Sequence, residues 1–174
     1  MIKRNLYLAY VDKDFSAYDL ISGKYQDMVF LYLEGDKNPN EIISRGLKQF
    51  PDKSIWFPMT EVFHYSKPFS AEHWRRKIAN KTPELRVAFL KPECVSEYIF
   101  YHYQLQEEKP CLYDKYGMIF SYGNMLIMYL ENPCELEDKK YVGKLHTKNS
   151  PPNFNKFIDD LFIPFDNNEN WKIL

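Results

Sequence analysis

Four familiar chemistries find no footing in this chain. Its six glycines are scattered, with none of the spacings that cradle a dinucleotide or a nucleotide phosphate, so nucleotide binding is not expected. Cys94, Cys111 and Cys134 are odd in number and form no Cys-x-x-Cys pair, which fits reduced thiols in a cytoplasm better than a disulfide framework. The four histidines show neither His-x-x-x-His nor mixed Cys/His spacing, so no metal site is expected. No Gly-x-Ser-x-Gly elbow is present, and acyl transfer lacks its signature.

Charge of one sign is missing too. The 23 basic and 24 acidic residues leave a net charge of -1, and no global field favours nucleic acid or an anionic membrane. Apolar runs are short: Met125 to Leu130 falls far below the ~20 residues a membrane helix needs. Leu6 to Val11 runs into Asp12, Lys13 and Asp14, unlike a signal-peptide core. A soluble protein without cofactor is expected.

Aromatic residues are what the chain has in abundance. They make up 17 % of its 174 residues, with 14 Tyr and 13 Phe, and they point to a β-rich fold with a sizeable core. An offset of 97 carries Tyr25, Met28, Tyr32, Leu33 and Glu34 onto Tyr122, Met125, Tyr129, Leu130 and Glu131. Each block reads as a hairpin, turning at Gln26-Asp27 or at Gly123-Asn124. After the first, Asn38, Pro39 and Glu41 make a helix start, followed by the apolar stripe Ile42, Ile43, Leu47 and Phe50. An offset of 115 carries the strand opening at Trp56, which runs to Tyr65, onto Trp171 to Leu174.

Other elements follow from caps and breakers. Strands are expected at Leu6 to Val11, Ala17 to Tyr25 and Leu85 to Leu90, and helices at Ala71 to Asn80 and about Pro152 to Phe162. Glu135 to Lys140 reads as a solvated charged stretch. The order strand, helix, strand, strand, helix, strand is ferredoxin-like, complete in the second copy and short of its first helix in the first. The expected fold is α+β: two ferredoxin-like units, antiparallel sheets with helices on one face, fused into one α/β-barrel-like body. Residues 1–68 would be the incomplete unit, 69–84 a linker helix and 85–174 the complete unit.

The long helix after Leu90 carries the most chemical spacing in the chain. Tyr98 and His102 stand four positions apart and so share one helix face, where a phenol and an imidazole can address one ligand. Imidazole is suited to moving protons in both directions near neutrality. The same helix is crowded with Ile99, Phe100, Tyr101 and Tyr103, so packing alone also accounts for the pair. His73, beside Trp74, Arg75, Arg76 and Lys77, reads as part of a solvated linker helix, and Glu107-Glu108 as solvent-facing.

Several stretches together resemble the L-rhamnose mutarotase family. They are Arg86-Val87-Ala88-Phe89-Leu90-Lys91-Pro92-Glu93, then Glu97-Tyr98-x-x-x-His102, Tyr116-Gly117, Tyr122 and Leu126-Ile127-Met128-Tyr129-Leu130-Glu131. Trp56-Phe57-Pro58-Met59-Thr60-Glu61-Val62-Phe63-His64 is similar to that family's closing segment. The resemblance implies a dimeric ferredoxin-like α/β barrel that interconverts the anomers of a free sugar, here as a diverged tandem duplication. It implies His102 as general acid/base, Tyr98 as hydrogen-bonding partner or second acid, and Trp56, Tyr122, Tyr129 and His64 as substrate contacts. The partner would be a small rhamnose-like sugar, and the chain a monomer imitating a dimer, or a homodimer.

Departures from the family pattern keep a second class open. Gln106, Glu107 and Glu108 stand where the family places Trp, Pro and Glu, and Phe157-Ile158 where it pairs tryptophans. The second copy reaches Leu174 where its Glu-Val-Phe-His segment would begin, so a complete site would draw on both copies. The alternative is a non-catalytic ferredoxin-like module that binds a protein partner, of inhibitor or immunity type.

Overall fold

The computed structural model describes residues 2–12, 22–42, 45–108, 113–137 and 143–174. The expected residues 17–21 of the second strand, Ile43, Cys111 and residues 138–140 of the charged stretch lie outside them. The fold is α+β with antiparallel sheets, and the chain packs as two compact units. One comprises residues 1–60, 68–75 and 174, the other 61–67 and 76–173.

The first unit contains β1 (Arg4–Tyr10), β2 (Ser22–Tyr25), β3 (Met28–Glu34), α1 (Pro39–Ile42) and β4 (Phe57–Pro58), its strands ordered β2-β3-β1-β4. Its core gathers alternate residues of β3, Val29, Leu31 and Leu33, against Ala9, Leu47 and Trp56. Burying each large apolar side chain of this kind contributes ~1.5–3 kcal/mol. The expected cap of α1 is present: Asn38 Oδ1 accepts from the Asn40 N–H at 3.1 Å.

The second sheet is built from β5 (Thr60–His64), β6 (Thr82–Leu90), β8 (Met118–Tyr122), β9 (Met125–Asn132), β11 (Phe162–Ile163) and β12 (Lys172–Ile173). Their order is β11-β6-β9-β8-β5, with β12 also on β6. Between these strands lie α2 (Val95–Glu108), the small ladder of β7 (Tyr113–Asp114) with β10 (Leu136–Glu137), and α3 (Phe154–Asp159). Leaving out β5, the neighbours run fourth, first, third, second, as they do in the first unit, and both are compatible with a ferredoxin-like fold.

Strand registers repeat with the offsets of the sequence. Leu8 pairs with Phe30 on one side and Phe57 on the other, and Val87 pairs with Ile127 and Lys172. Phe30 and Ile127 are one offset of 97 apart, Phe57 and Lys172 one offset of 115. Both hairpins turn in two residues, between paired Tyr25 and Met28 and between paired Tyr122 and Met125. Gln26 and Gly123 open these turns at φ 54° and 59°, the left-handed region that such loops require and that glycine enters without steric cost.

Expected elements differ in several places: Leu47 and Phe50 lie outside any helix, and Glu135, read as solvated, is buried against Lys115. The strand from Trp56 to Tyr65 is split: β4 ends at Pro58, which has no N–H to extend a ladder, and β5 joins the other sheet. The terminal strand is only half of an interrupted edge, with β11 against Phe89 and Leu90 and β12 against Arg86 and Val87. Ala71 to Asn80 is not a helix but a set of turns, closed by Trp74 N–H on Ser70 O at 3.1 Å and Arg75 N–H on Glu72 O at 3.2 Å. His73 and Trp74 are buried there, because the Trp74 indole donates to Glu34 at 2.9 Å and its ring lies under the Arg4 guanidinium. Among the described residues no helix is long and apolar enough to cross a membrane.

Candidate functional site

The helix α2 is entered through a single tight turn, Pro92–Cys94, and it sets Tyr98 and His102 on one face as the spacing requires. The phenol ring and imidazole lie 3.9 Å apart, tilted by 30°. His102 Nδ1 is 3.0 Å from the Tyr98 carbonyl oxygen, which can only accept, so Nδ1 carries the proton and Nε2 of the neutral ring is an acceptor.

Both side chains line a cavity of about 400 Å³ within the second unit. Phe63 and Tyr65 enter its wall from the β5 end, Ile119 from β8 and Met128 from β9. Phe154, Asn155, Ile158 and Asp159 of α3 line another side, joined by Phe162 and Trp171. His102 is boxed edge-on by Phe63 at 5.1 Å and Phe154 at 5.0 Å. Gly117 makes this wall possible: a Cβ there would stand 2.6 Å from Tyr65 Cδ2, and the Gly117 carbonyl accepts from the Tyr65 N–H at 3.2 Å.

Burial dominates the electrostatics of the pair. Tyr98 is 0 % exposed and His102 4 %. Burial, with a smaller push from Tyr65, holds the Tyr98 phenol well above its ordinary range, so it stays protonated. Burial pulls His102 down to about 4, against the opposing pull of its bond to the Tyr98 carbonyl, so the ring stays neutral at pH 7. The Tyr98 oxygen finds no hydrogen-bond partner among the described residues. A buried hydroxyl left in that state is costly unless a ligand or water completes it.

Of the six residues expected at a site, the cavity gathers only these two. Tyr129 lies beside Met128 on β9, and His64 lies between Phe63 and Tyr65; strand parity turns each to the opposite face from its cavity-lining neighbours. Trp56 packs into the first unit's core, and its repeat mate Trp171 lines the cavity instead. Tyr122 sits at the β8–β9 turn, 40 % exposed. The residues missed were Phe63, Tyr65, Asn155, Asp159 and Trp171; the offset of 115 was a signal for the last.

Tyr129 and His64 hold structural positions. Tyr129 donates to Glu131 at 2.6 Å, and that carboxylate also accepts from Arg76 Nη2 at 2.6 Å, with Lys81 Nζ at 3.9 Å. Three cations surround the buried Tyr116 ring, Arg76 at 4.6 Å, Lys81 at 5.0 Å and Lys115 at 5.2 Å, and Lys115 pairs with Glu135 at 3.3 Å. His64 Nδ1 meets Glu61 Oε1 at 2.7 Å, and its N–H donates to Gln106 Oε1 at 3.0 Å.

Glu107 is buried and Glu108 half-buried, and both are engaged by another segment rather than left to solvent. Glu107, 2 % exposed, accepts from the Lys144 N–H at 2.9 Å. Glu108 accepts from the N–H and hydroxyl of Ser150, both at 2.7 Å, from the Asn149 N–H at 3.2 Å and from the Thr147 hydroxyl. Burial pushes the Glu108 carboxyl up, but these donors outweigh it and hold it down to about 2. The end of α2 thereby fastens residues 144–150, the segment that leads into α3 and the cavity wall. A helix C-terminus leaves carbonyls rather than donors exposed, and the Glu107 and Glu108 carboxylates there serve as anchors for another segment's donors.

Among the described residues no three His, Cys, Asp or Glu side chains gather as a metal would require. No protein-family model, curated protein or solved structure matches this chain.

Proposed function

We propose that the second unit is a mutarotase-like module whose cavity takes a small free sugar and passes protons between two of its oxygens. One observation carries this: a buried phenol without a hydrogen-bond partner among the described residues and a neutral imidazole on one helix face line the same cavity. Tyr98 offers a proton and His102 Nε2 accepts one, which are the two groups that opening a hemiacetal needs. The phenol protonates the ring oxygen as the C–O bond breaks, and the imidazole takes the anomeric hydroxyl proton to leave a carbonyl. Ring closure on the other face of that carbonyl returns both protons. The phenol thus acts as the acid and His102 as the base. Because both groups are held far from neutrality in the direction that keeps them uncharged, the acceleration belongs at the low end of the ~10²–10⁴ range.

The aromatic wall supports the same reading, since Trp171, Tyr65 and Phe162 line the cavity with apolar ring surface suited to the C–H side of a sugar. A tandem duplication of one ferredoxin-like unit is part of the proposal, supported by the repeated registers around Leu8 and Val87. Fusion into one barrel-like, monomeric body is its further extension, tested by sizing chromatography with small-angle scattering. The activity is tested by saturation-transfer NMR of anomer exchange on L-rhamnose and a panel of 6-deoxy and pentose sugars. Wild type should accelerate at least one, with the effect lost in His102→Ala and Tyr98→Phe. No acceleration by wild type on any sugar ends the enzymatic reading.

A second reading, a non-catalytic module for a protein partner, is favoured by one feature. Phe100 is 58 % exposed on α2 and abuts Tyr101, which packs on Phe157 of α3. Affinity capture with wild type and Phe100→Ser tests it, and it fails when both recover the same proteins while a sugar raises the melting temperature.

A further inference from the structure

The cavity is one-sided in charge. Among the described residues that line it there is no lysine or arginine, and Asp159 is the single carboxylate. Asn155 and Asp159 stand four positions apart on α3, both exposed, so they form the open side, while the phenol and imidazole lie in the buried side. Asn170 Nδ2 donates to Asp159 Oδ1 at 3.2 Å and fixes where that carboxylate stands. The ammonium of Lys91 donates to the Asp160 carbonyl at 2.6 Å and is absent from the wall.

We propose that Asp159, positioned by Asn170, is a charge filter at the cavity mouth, so that the site takes uncharged ligands and refuses their carboxylate and phosphate forms. It rests on the sugar reading of the same cavity. An anion that enters gives up its hydration and meets no cation on the wall, and it passes a fixed negative charge on the way in. A neutral sugar loses nothing comparable, because its hydroxyls find an amide and a carboxylate at the mouth and a phenol and an imidazole within. Discrimination of this kind comes from a repulsive element rather than from a better contact.

Galacturonate and galacturonamide differ by one charge and little in shape, and they make the test. Binding is read from the methyl shifts of Met128 and Ile119, and anomer exchange is measured alongside. Wild type should bind the amide about tenfold more tightly than the acid. Asp159→Asn, with an unchanged melting temperature, should bring the acid close to the amide, and Asn170→Ala should move part of the way. Equal binding of both by wild type, or undiminished discrimination in Asp159→Asn, overturns the filter. If neither sugar derivative binds, benzamide and benzoate take their place on the same methyls. Preference for benzamide that vanishes in Asp159→Asn upholds the filter while the sugar reading falls, and no response to either probe overturns both.

Discussion

Tyr129 donates its phenol proton to Glu131 at 2.6 Å, two residues along the same strand, and Tyr32 does the same to Glu34 at 3.0 Å. In the second unit that carboxylate is also the anchor of Arg76 and lies within 4 Å of Lys81. Removing it therefore takes an acceptor from a buried phenol and from Arg76, and a nearby counter-charge from Lys81, at once. Glu131→Ala should cost about 3–5 kcal/mol in urea unfolding, the range for breaking one side of a buried ion pair. Glu131→Gln, which keeps an acceptor for Tyr129, should lose less; equal losses would mean that charge pairing, not hydrogen bonding, sets the cost.

His102 makes stability depend on pH in a defined direction. Its folded value of about 4 lies below the ordinary imidazole value of 6.5. Between these limits the unfolded chain binds a proton that the folded chain refuses, so acid favours unfolding. The contribution is fully present above pH 6.5 and is lost as pH falls toward 4, about 3 kcal/mol in all. Wild type minus His102→Gln in stability should decline across that window and be flat above it. A His102 imidazole resonance, assigned by its loss in His102→Gln, that titrates near 6.5 in the folded protein would refute the burial argument.

How much of this was legible in the sequence depends on the kind of information each feature needs. The hairpins were legible because turn and strand are local: Gln26 and Gly123 sit at the same place in matching patterns. The Tyr98/His102 face was legible because helix periodicity is fixed at ~3.6 residues. Which face of a strand meets a cavity is set by pairing register, and a strand read alone has no register. That is why the sequence pattern points to Tyr129 and His64 while Met128, Phe63 and Tyr65, one position away, line the cavity. Glu107 and Glu108 read as solvated because their donors, Lys144 and residues 147–150, are some forty positions distant. The exchange of Trp56 for Trp171 followed the repeat, but only the fold tells which copy holds the cavity.

Gly117 is a test of the cavity wall that leaves its chemistry untouched. A methyl there would meet the Tyr65 ring at 2.6 and 2.8 Å, so the ring must move. Gly117→Ala should cost about 1–3 kcal/mol through overpacking and should shift the Ile119 and Met128 methyl resonances on the same wall. In a Tyr65→Ala background Gly117→Ala should cost far less than it does in wild type, since the obstructing ring is gone. An equal cost in both backgrounds would place the strain in the Gly117 backbone instead.

Tyr98→Phe separates a structural role from a functional one. A phenol that holds the fold together loses a hydrogen bond when its oxygen is removed, and stability falls. The Tyr98 oxygen has no such bond among the described residues and is fully buried, so its removal takes away an unsatisfied polar group rather than a contact. Tyr98→Phe should therefore unfold at an equal or higher urea midpoint than wild type, by as much as about 1–3 kcal/mol. The same variant should lose binding of any ligand that accepts from the phenol, and with it the anomer exchange. A variant that is more stable and inactive is what a site held ready for a ligand predicts, because stability is given up where activity needs an unpaired group. A destabilised Tyr98→Phe would show instead that the oxygen is satisfied in solution, and the cavity would lose its strongest claim to a ligand.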